Sequence, residues 1–337
     1  MNAPRLSLLF GLASAVPPLL AACGASVPGP SGSGGSGAQP TGSGGTTAVG
    51  AGGIVLASGG GLIIDDEPDT GGTGGAIPTM IIRELPAGFT AAEGAASGTD
   101  AEDLRGGFQL IGALADVPST ETTACANVLR VLVRDFITFT HPDFGGLKMP
   151  ADATGMVDVA LGTDRKPVRV ADVYPDCAVQ FADWYTNVDG TNVPYVVDLW
   201  LEPDAEQFVF DSSRFFPLDG VTSDEERQAD MDGTLRNFGF TTELHTAFEY
   251  QGGESFTFRG DDDVFVFVNN ALVVDLGGVH GPVQGNIAID SLGLTVGQVY
   301  NLDLFQAERN PVGSNFRLET TLDFTECGVI LPDDVVK

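Results

Sequence analysis

From about Thr122 onward the chain alternates short apolar runs with clusters of Gly, Asn, Asp and Pro. Within the runs, apolar and polar positions repeat every second residue. That period places successive side chains on opposite faces of a strand, and the turn residues end each run before a helix could be sustained. The pattern predicts strands at 127–139, 193–202, 206–213, 255–260, 264–268, 272–277, 286–290, 300–308 and 316–324. Asn269-Asn270, between two such runs, predicts a hairpin turn, because Asn tolerates the positive φ that tight turns demand. Only 224–235, "DEERQADMDGTL", reads as a helix or loop. Closely spaced strands with so little helix predict an all-β fold, a single β-sandwich over 121–330. Roughly two hundred residues suffice to bury one core. No internal repeat points to a solenoid or propeller.

Upstream of the sandwich the texture differs. Residues 24–75 hold 19 of the 45 glycines, and no aromatic residue occurs from Gly24 to Gly88. Such a segment buries too little apolar surface to offset its ordering entropy, so 23–75 is expected to be a flexible tether. Its "GSGGSG" at 32–37 matches a dinucleotide-binding spacing, but no strand precedes it and no helix follows. Residues 76–120 are transitional; "IPTMIIRELPAGF" is a further strand candidate whose docking stays open. The first 22 residues read as a secretion signal, with Arg5, a short apolar stretch broken by Pro17 and Pro18, and small residues at the end. That stretch is too short to span a bilayer. Leu20-Ala21-Ala22-Cys23 resembles a bacterial lipobox, which implies a lipid on Cys23 and anchoring in the cell envelope, in an outer membrane if the cell has one.

Charge narrows the partners. Sixteen Lys and Arg face 46 Asp and Glu, a formal charge of −30, which repels phosphate backbones and argues against nucleic acid. It suits an exported protein or one that collects cations. If Cys23 carries lipid, Cys125, Cys177 and Cys327 remain, enough for one disulfide and one odd thiol. Cys125–Cys327 is the favoured pair because these residues bracket the folded region, leaving Cys177 spare; the sequence does not fix the pairing.

"GDDDVFVFVNN" at 260–270 sets three acids directly against an apolar strand. Asp261, Asp262 and Asp263 repel one another, and adjacent carboxylates are hard oxygen ligands of the kind Ca²⁺ takes six to eight of. The alternative is a solvated acidic turn that keeps a strand edge from aggregating. The histidines His141, His245 and His280 lack the spacing of a zinc site. No hydrolase, metalloprotease or phosphate-loop motif is present, so the chain is not expected to be an enzyme. Glu243, Glu254 and Glu308 read as surface or turn acids rather than a glycosidase pair, and Trp184 and Trp200 as core anchors rather than sugar platforms. "TNVDGTN" at 186–192 reads as Asx-type turn chemistry.

The strings "RDF" (134–136), "HPDF" (141–144), "FADWY" (181–185), "FFPLDG" (215–220), the run 237–280 and the run 293–316 together resemble the bacterial fibro-slime domain. Residues 256–316 also resemble a divergent protective-antigen-type β-sandwich, in which an Asp-Asp pair precedes a strand, a turn and a second strand. That resemblance implies a Ca²⁺ ion held by Asp261 and Asp262 across a cis peptide, with Asn315 of the loop "ERNPVGSNF" (308–316) completing the set. Asp263 stands where the wider family usually has Gly; it is either an additional ligand or a solvent-facing acid. The function implied is adhesion-like binding of extracellular polysaccharide or a neighbouring cell surface through Ca²⁺. The rival is a non-catalytic matrix scaffold without sugar binding; an extracellular hydrolase would need a catalytic pair that the sequence does not present.

Overall fold

The structure is a computed structural model that describes residues 81–94, 104–117, 127–137, 141–144, 150–223, 225–331 and 334. The leader at 1–22, Cys23, the 23–75 tether and Cys125 lie outside the described residues.

Sixteen strands run in chain order among the described residues. They are β1 (Thr90–Ala91), β2 (Gly107–Ala113), β3 (Val128–Phe136), β4 (Asn192–Trp200), β5 (Glu202–Asp204), β6 (Gln207–Ser212), β7 (Gln228–Ala229) and β8 (Leu235–Arg236). Then come β9 (Phe240–Glu249), β10 (Ser255–Gly260), β11 (Asp263–Val268), β12 (Ala271–Leu276), β13 (Val283–Ala288), β14 (Val299–Glu308), β15 (Phe316–Thr320) and β16 (Phe324–Glu326). The larger sheet has the order β1-β2-β4-β3-β9-β14-β11-β12, with β16 also against β9, and the smaller has β13-β10-β15-β6-β5. The protein is all-β, a sandwich of two open antiparallel sheets.

The predicted strands all form, within a few residues of their expected ends. Asn269 and Asn270 make the β11–β12 turn with φ of 48° and 69°, as their residue type led one to expect. Of the stretch read as a helix or loop, residues 225–235 are loop and the short hairpin β7–β8, whose turn is tied by the Asp230 carboxylate to the N–H groups of Asp232 and Thr234. The transitional segment contributes β1 and β2, which extend the larger sheet beyond β4, so the fold includes residues upstream of the expected 121–330 domain. Asn127 ties that segment down by exchanging hydrogen bonds with both backbone groups of Ile82 at 2.8 Å.

Two apolar layers result. Between the sheets lie Val131, Val133, Phe240, Leu244, Val264, Val266, Leu302 and Leu304 from the larger sheet, against Phe210, Phe256, Phe258, Phe316 and Leu318 from the smaller. The outer face of the larger sheet is also buried. There Phe136, Phe265, Phe267 and Phe305 pack under Met156, Phe181, Trp184 and Tyr185 of the long connection before β4. Burial on both faces explains why β11 reads as the unbroken "DVFVFV". Cys177 sits in this outer layer and is disulfide-bonded, as is Cys327. The expectation of a spare thiol at Cys177 is therefore corrected.

One buried acid gives the fold a pH dependence. Asp135, near the end of β3, accepts hydrogen bonds from Asn237 Nδ2 at 2.7 Å and Thr222 Oγ1 at 3.0 Å. Burial nonetheless pushes its carboxyl up to about 6. A folded value above the unfolded one means that protonation favours the folded state, and this contribution fades as pH rises from 4 through 6. The stability of the native chain minus that of Asp135→Asn should therefore fall across that window, by up to about 3 kcal/mol. Thermal melts of both proteins at half-unit pH intervals check this; parallel curves would refute it.

Candidate functional site

The acidic stretch lies where the chain crosses between sheets. β10 belongs to the smaller sheet and ends at Gly260, while β11 belongs to the larger and starts at Asp263. Only Asp261 and Asp262 make the crossing. The sharp turn leaves Asp262 at φ 53°, in the left-handed region. At the same corner a second crossing runs the other way, from Glu308 at the end of β14 to Phe316 at the start of β15. The pairings Asp263↔Ala307 and Gly260↔Phe316 hold the two crossings side by side. The topology thus brings Asp261 and Asn315, 54 residues apart in sequence, into contact.

Asp261 Oδ2 accepts hydrogen bonds from the Asn315 backbone N–H at 3.0 Å and from its Nδ2 at 2.6 Å, while the Asp261 N–H donates to the Asn315 carbonyl at 3.2 Å. Asp262 Oδ2 accepts from the Arg309 backbone N–H at 2.7 Å, and the Asp262 N–H donates to the His280 carbonyl. The peptide between the two acids is trans, against the cis link that the resemblance implied. Asp263 behaves differently. Its Oδ2 takes Arg309 Nε at 2.7 Å and Nη2 at 2.5 Å, and its Oδ1 accepts the Gly278 N–H at 2.8 Å. Gly278, at φ 129°, presses so close to the Ala151 and Pro150 carbonyls that a Cβ would meet them at 2.8 Å. The Arg309 guanidinium lies 4.7 Å from the Trp184 ring centroid, over its face. Asp263 is fully buried, and its carboxylate is taken up by Arg309 rather than facing solvent.

The electrostatics of the corner are those of crowded, dehydrated carboxylates. Burial pushes Asp261 up to about 6 despite the bonds from Asn315. Burial also pushes Asp262 up, to about 8, with Arg309 pulling the other way and the charges of Asp263 and Asp261 adding to the rise. Glu308, fully buried at the end of β14, is raised well above the ordinary range by burial first and by Asp262 and Asp261 next. Both of its carboxylate oxygens lack a hydrogen-bond partner, and so does Asp261 Oδ1. The Ser314 hydroxyl and the Asn310 backbone N–H nonetheless act on Glu308 and pull its carboxyl part of the way back down.

These orphaned oxygens are the test of fit for a metal. They are hard anionic donors, which is the chemistry that Ca²⁺ takes. Among the described residues, however, no three His, Cys, Asp or Glu side chains stand close enough to hold an ion as they are. A cation here would draw on the Asp261 and Asp262 carboxylates, the Asn315 side chain and backbone carbonyls of the 309–315 loop, of which Asp261 and Asn315 are in contact.

Glu308, like Glu243, is expected from sequence as a surface or turn acid and is instead a buried strand residue. Glu243 and Glu254 are buried too. Glu254 does serve a turn, capping the N–H of Gly252 at 2.7 Å. Glu243 faces the outer layer of the larger sheet beside Phe305, whereas Glu308 is in phase with Leu304 on the inner face, so the sheet separates them and they form no catalytic pair. His280 is a loop residue beside the acids; its ring nitrogens lie 2.8 Å from the Gly281 carbonyl and 3.1 Å from the Leu276 carbonyl. His245 is a buried strand residue, and Trp184 and Trp200 are buried anchors. Asn192 organises the 186–192 turn, accepting from the Val188 N–H and donating to the Thr186 carbonyl.

Residues 221–336 match the family model of the PA14 domain, and this match contains the whole acidic corner. The matched stretch overlaps 256–316, over which the sequence resembles a protective-antigen-type sandwich. Among curated proteins the chain is similar to protein psiR of Dictyostelium discoideum, 36% identical over 221 residues, which is 60% of this chain and 22% of psiR. It is similar to protein psiB of the same organism, 42% identical over 158 residues, covering 44% of this chain and 29% of psiB. The chain therefore spans less than a third of either relative. Among solved structures it is similar to a PA14 sugar-binding domain from an RTX adhesin, with TM-score 0.26, 13% identity and coverage of 59% of this chain and 96% of that one. It is also similar to the PA14 domain of the MpAFP antifreeze protein, with TM-score 0.24, 10% identity and coverage of 64% and 93%.

Proposed function

We propose that this chain is a fibro-slime-type surface protein, exported and lipid-anchored through Cys23, whose sandwich binds extracellular carbohydrate or matrix through Ca²⁺ held by Asp261, Asp262 and Asn315. The observation that carries the reading is the unpartnered, buried carboxylate oxygen of Asp261, facing a crossing loop that already holds Asn315 against the same side chain. A buried acceptor left unpaired costs about 1–3 kcal/mol, more when charged, so the corner gains from any cation that fills it. The same loop carries Val312, 57% exposed, an apolar side chain of the kind that the C–H face of a sugar ring covers. Several copies on one cell surface would turn a modest affinity into avidity.

A second reading has its own support. The acids are buried almost completely, Asp261 at 5% exposure and Asp262 at 1%. An ion enclosed to that degree stiffens the corner without meeting a sugar, which fits a matrix scaffold. Calorimetry with Ca²⁺ followed by a glycan array in Ca²⁺ and in chelator separates the two. Sugar signal that vanishes in chelator supports the first reading; ion binding without sugar signal supports the scaffold. Linkage gives a further outcome: saturating Ca²⁺ at about a hundred times its Kd should stabilise the native chain by about 2.7 kcal/mol. Asp261→Asn with Asp262→Asn should abolish that gain. Equal melting of both proteins with and without the ion would show that the site is misassigned.

A further inference from the structure

The outer face of the larger sheet holds a buried lysine between two acids, remote in role from the acidic corner. Lys166 is set by a tight turn in the long connection before β4: its carbonyl accepts the Gly162 N–H at 2.8 Å, and its own N–H donates to Asp164 Oδ1 at 3.1 Å. Glu243 of β9 and Asp334, from the segment after β16, flank its Nζ. The three side chains are 10%, 2% and 4% exposed, so the group is close to dry. Phe305 lies across from Glu243 on β14, and Tyr185 packs edge-on against Phe305.

The two acids meet the lysine differently. Nζ lies 2.9 Å from Asp334 Oδ2 and 3.2 Å from Oδ1, so it faces the carboxyl group as a whole. Glu243 meets it through Oε1. Arg134 closes the square, donating from Nη2 to Asp334 Oδ1 at 2.8 Å and from Nη1 to Glu243 Oε2 at 2.5 Å. Asn187 fixes the far side: its Oδ1 accepts Arg134 Nε at 2.8 Å, and its Nδ2 donates to the Asp334 backbone carbonyl at 2.7 Å. An amine held about 3 Å from a carboxyl, with a second acid on the nitrogen and a fixed cation on one oxygen, is positioned for acyl transfer.

We propose that Lys166 and Asp334 become joined by an amide bond formed within the folded chain, with Glu243 relaying a proton. The ion pair first shifts one proton from Nζ to Oδ2, leaving a neutral amine and a neutral carboxyl. Nζ then bonds to Cγ, and negative charge gathers on Oδ1, where Arg134 Nη2 donates. Glu243 Oε1 takes a second proton from Nζ and passes it to Oδ2. The Cγ–Oδ2 bond breaks, and Oδ2 leaves as water. No co-reactant enters. Burial drives the step, because two dehydrated charges become one neutral amide. Burial raises Glu243, while the charges of Arg134, His245 and Lys166 hold it low; loss of the lysine's charge lets its basicity rise as the relay needs it. Arg134 and His245 still pair with Glu243 afterwards. The bond ties together residues 168 apart in sequence and closes a covalent loop around β4 to β16.

The test is the intact mass of the full chain, folded during production and then reduced and denatured. Lys166→Arg is the reference, since it keeps the positive charge but forms no such amide. After allowance for the substitution, the native chain should be lighter by one water, and digestion should yield a branched peptide joining Lys166 to Asp334. Asp334→Asn should reach the same linked mass, because ammonia leaves in place of water, and Asp334→Ala should stay unlinked. Glu243→Gln should slow linkage by about a hundredfold or more; the Asp334→Asn result stands by itself if that variant folds poorly. Equal masses for the native chain and the reference would overturn the inference. So would a water loss that persists in Lys166→Arg, or a branch that ends on Glu243. Linkage at the native rate in Glu243→Gln would remove Glu243 from the step.

Discussion

Arg134→Met is expected to cost the fold about 3–5 kcal/mol, because it strands a buried carboxylate pair. Arg134 is fully buried on the outer face of β3. Its Nη1 lies 2.5 Å from Glu243 Oε2, its Nη2 2.8 Å from Asp334 Oδ1, and its Nε donates to Asn187 Oδ1 at 2.8 Å. Lys166 Nζ bridges the same two acids, reaching Asp334 Oδ2 at 2.9 Å and pairing with Glu243. Burial alone would push Glu243 up, but the charges of Arg134, His245 and Lys166 hold it well below the usual carboxylate range. Removing Arg134 leaves Asp334 with Lys166 alone, and Glu243 with Lys166 and His245, in a dry layer. A loss below about 1 kcal/mol in denaturant melts would mean that water reaches this network.

The same network contains His245, whose Nε2 pairs with Glu243 and whose Nδ1 lies 2.6 Å from Asp303 Oδ1. With a carboxylate on each ring nitrogen, only the doubly protonated imidazole satisfies both. Burial works against that charge, yet Glu243 and Asp303 raise the ring's pKa overall. The stabilisation is therefore complete below the unfolded value near 6.5 and is lost as pH rises through the higher folded value. The deficit caused by Arg134→Met should consequently change little between pH 5 and the onset of that loss.

These residues also show what the sequence makes legible and what it hides. Strands buried on one face, or rich in Phe and Val, announce themselves by alternation, and the Asn269-Asn270 turn by residue type. β9, "FTTELHTAFE", went unread as a strand although every residue but the last is buried. Its outer face carries Thr241, Glu243 and His245, polar positions that alternation assigns to water. The burial of Glu243 depends on Arg134, 109 residues away, with Lys166 beside it, which no local pattern reveals. Glu308 was missed for the same reason: a charged residue at a strand end reads as exposed unless one knows that β14 is central and that a second crossing shares its corner. The contact between Asp261 and Asn315 follows from no local pattern; only the family resemblance set these two residues together. Asp263 was misleading because adjacency in sequence suggests shared chemistry, whereas strand phase sends it to the opposite face.

Arg309→Met is expected to be about as costly, about 3–5 kcal/mol, and its rescue separates the two roles within the acid triplet. Arg309 and Asp263 are both fully buried, and their pair occupies the outer layer under Trp184. Deleting the guanidinium leaves Asp263 charged among Phe265, Trp184 and Tyr185 with only the Gly278 N–H to satisfy it. Replacing both partners, Arg309→Met with Asp263→Leu, removes the charge along with its partner, and apolar pairs of similar volume are often neutral or better in such positions. The double variant should regain most of the loss, measured by urea melts of the two single variants and the double. It should also keep Ca²⁺ affinity within a few-fold of the native chain, because the double variant removes one positive and one negative charge together and retains the Arg309 backbone N–H that Asp262 accepts. Loss of Ca²⁺ binding in a well-folded double variant would place Asp263 among the ligands and overturn the division of the acids between the two faces of the sheet.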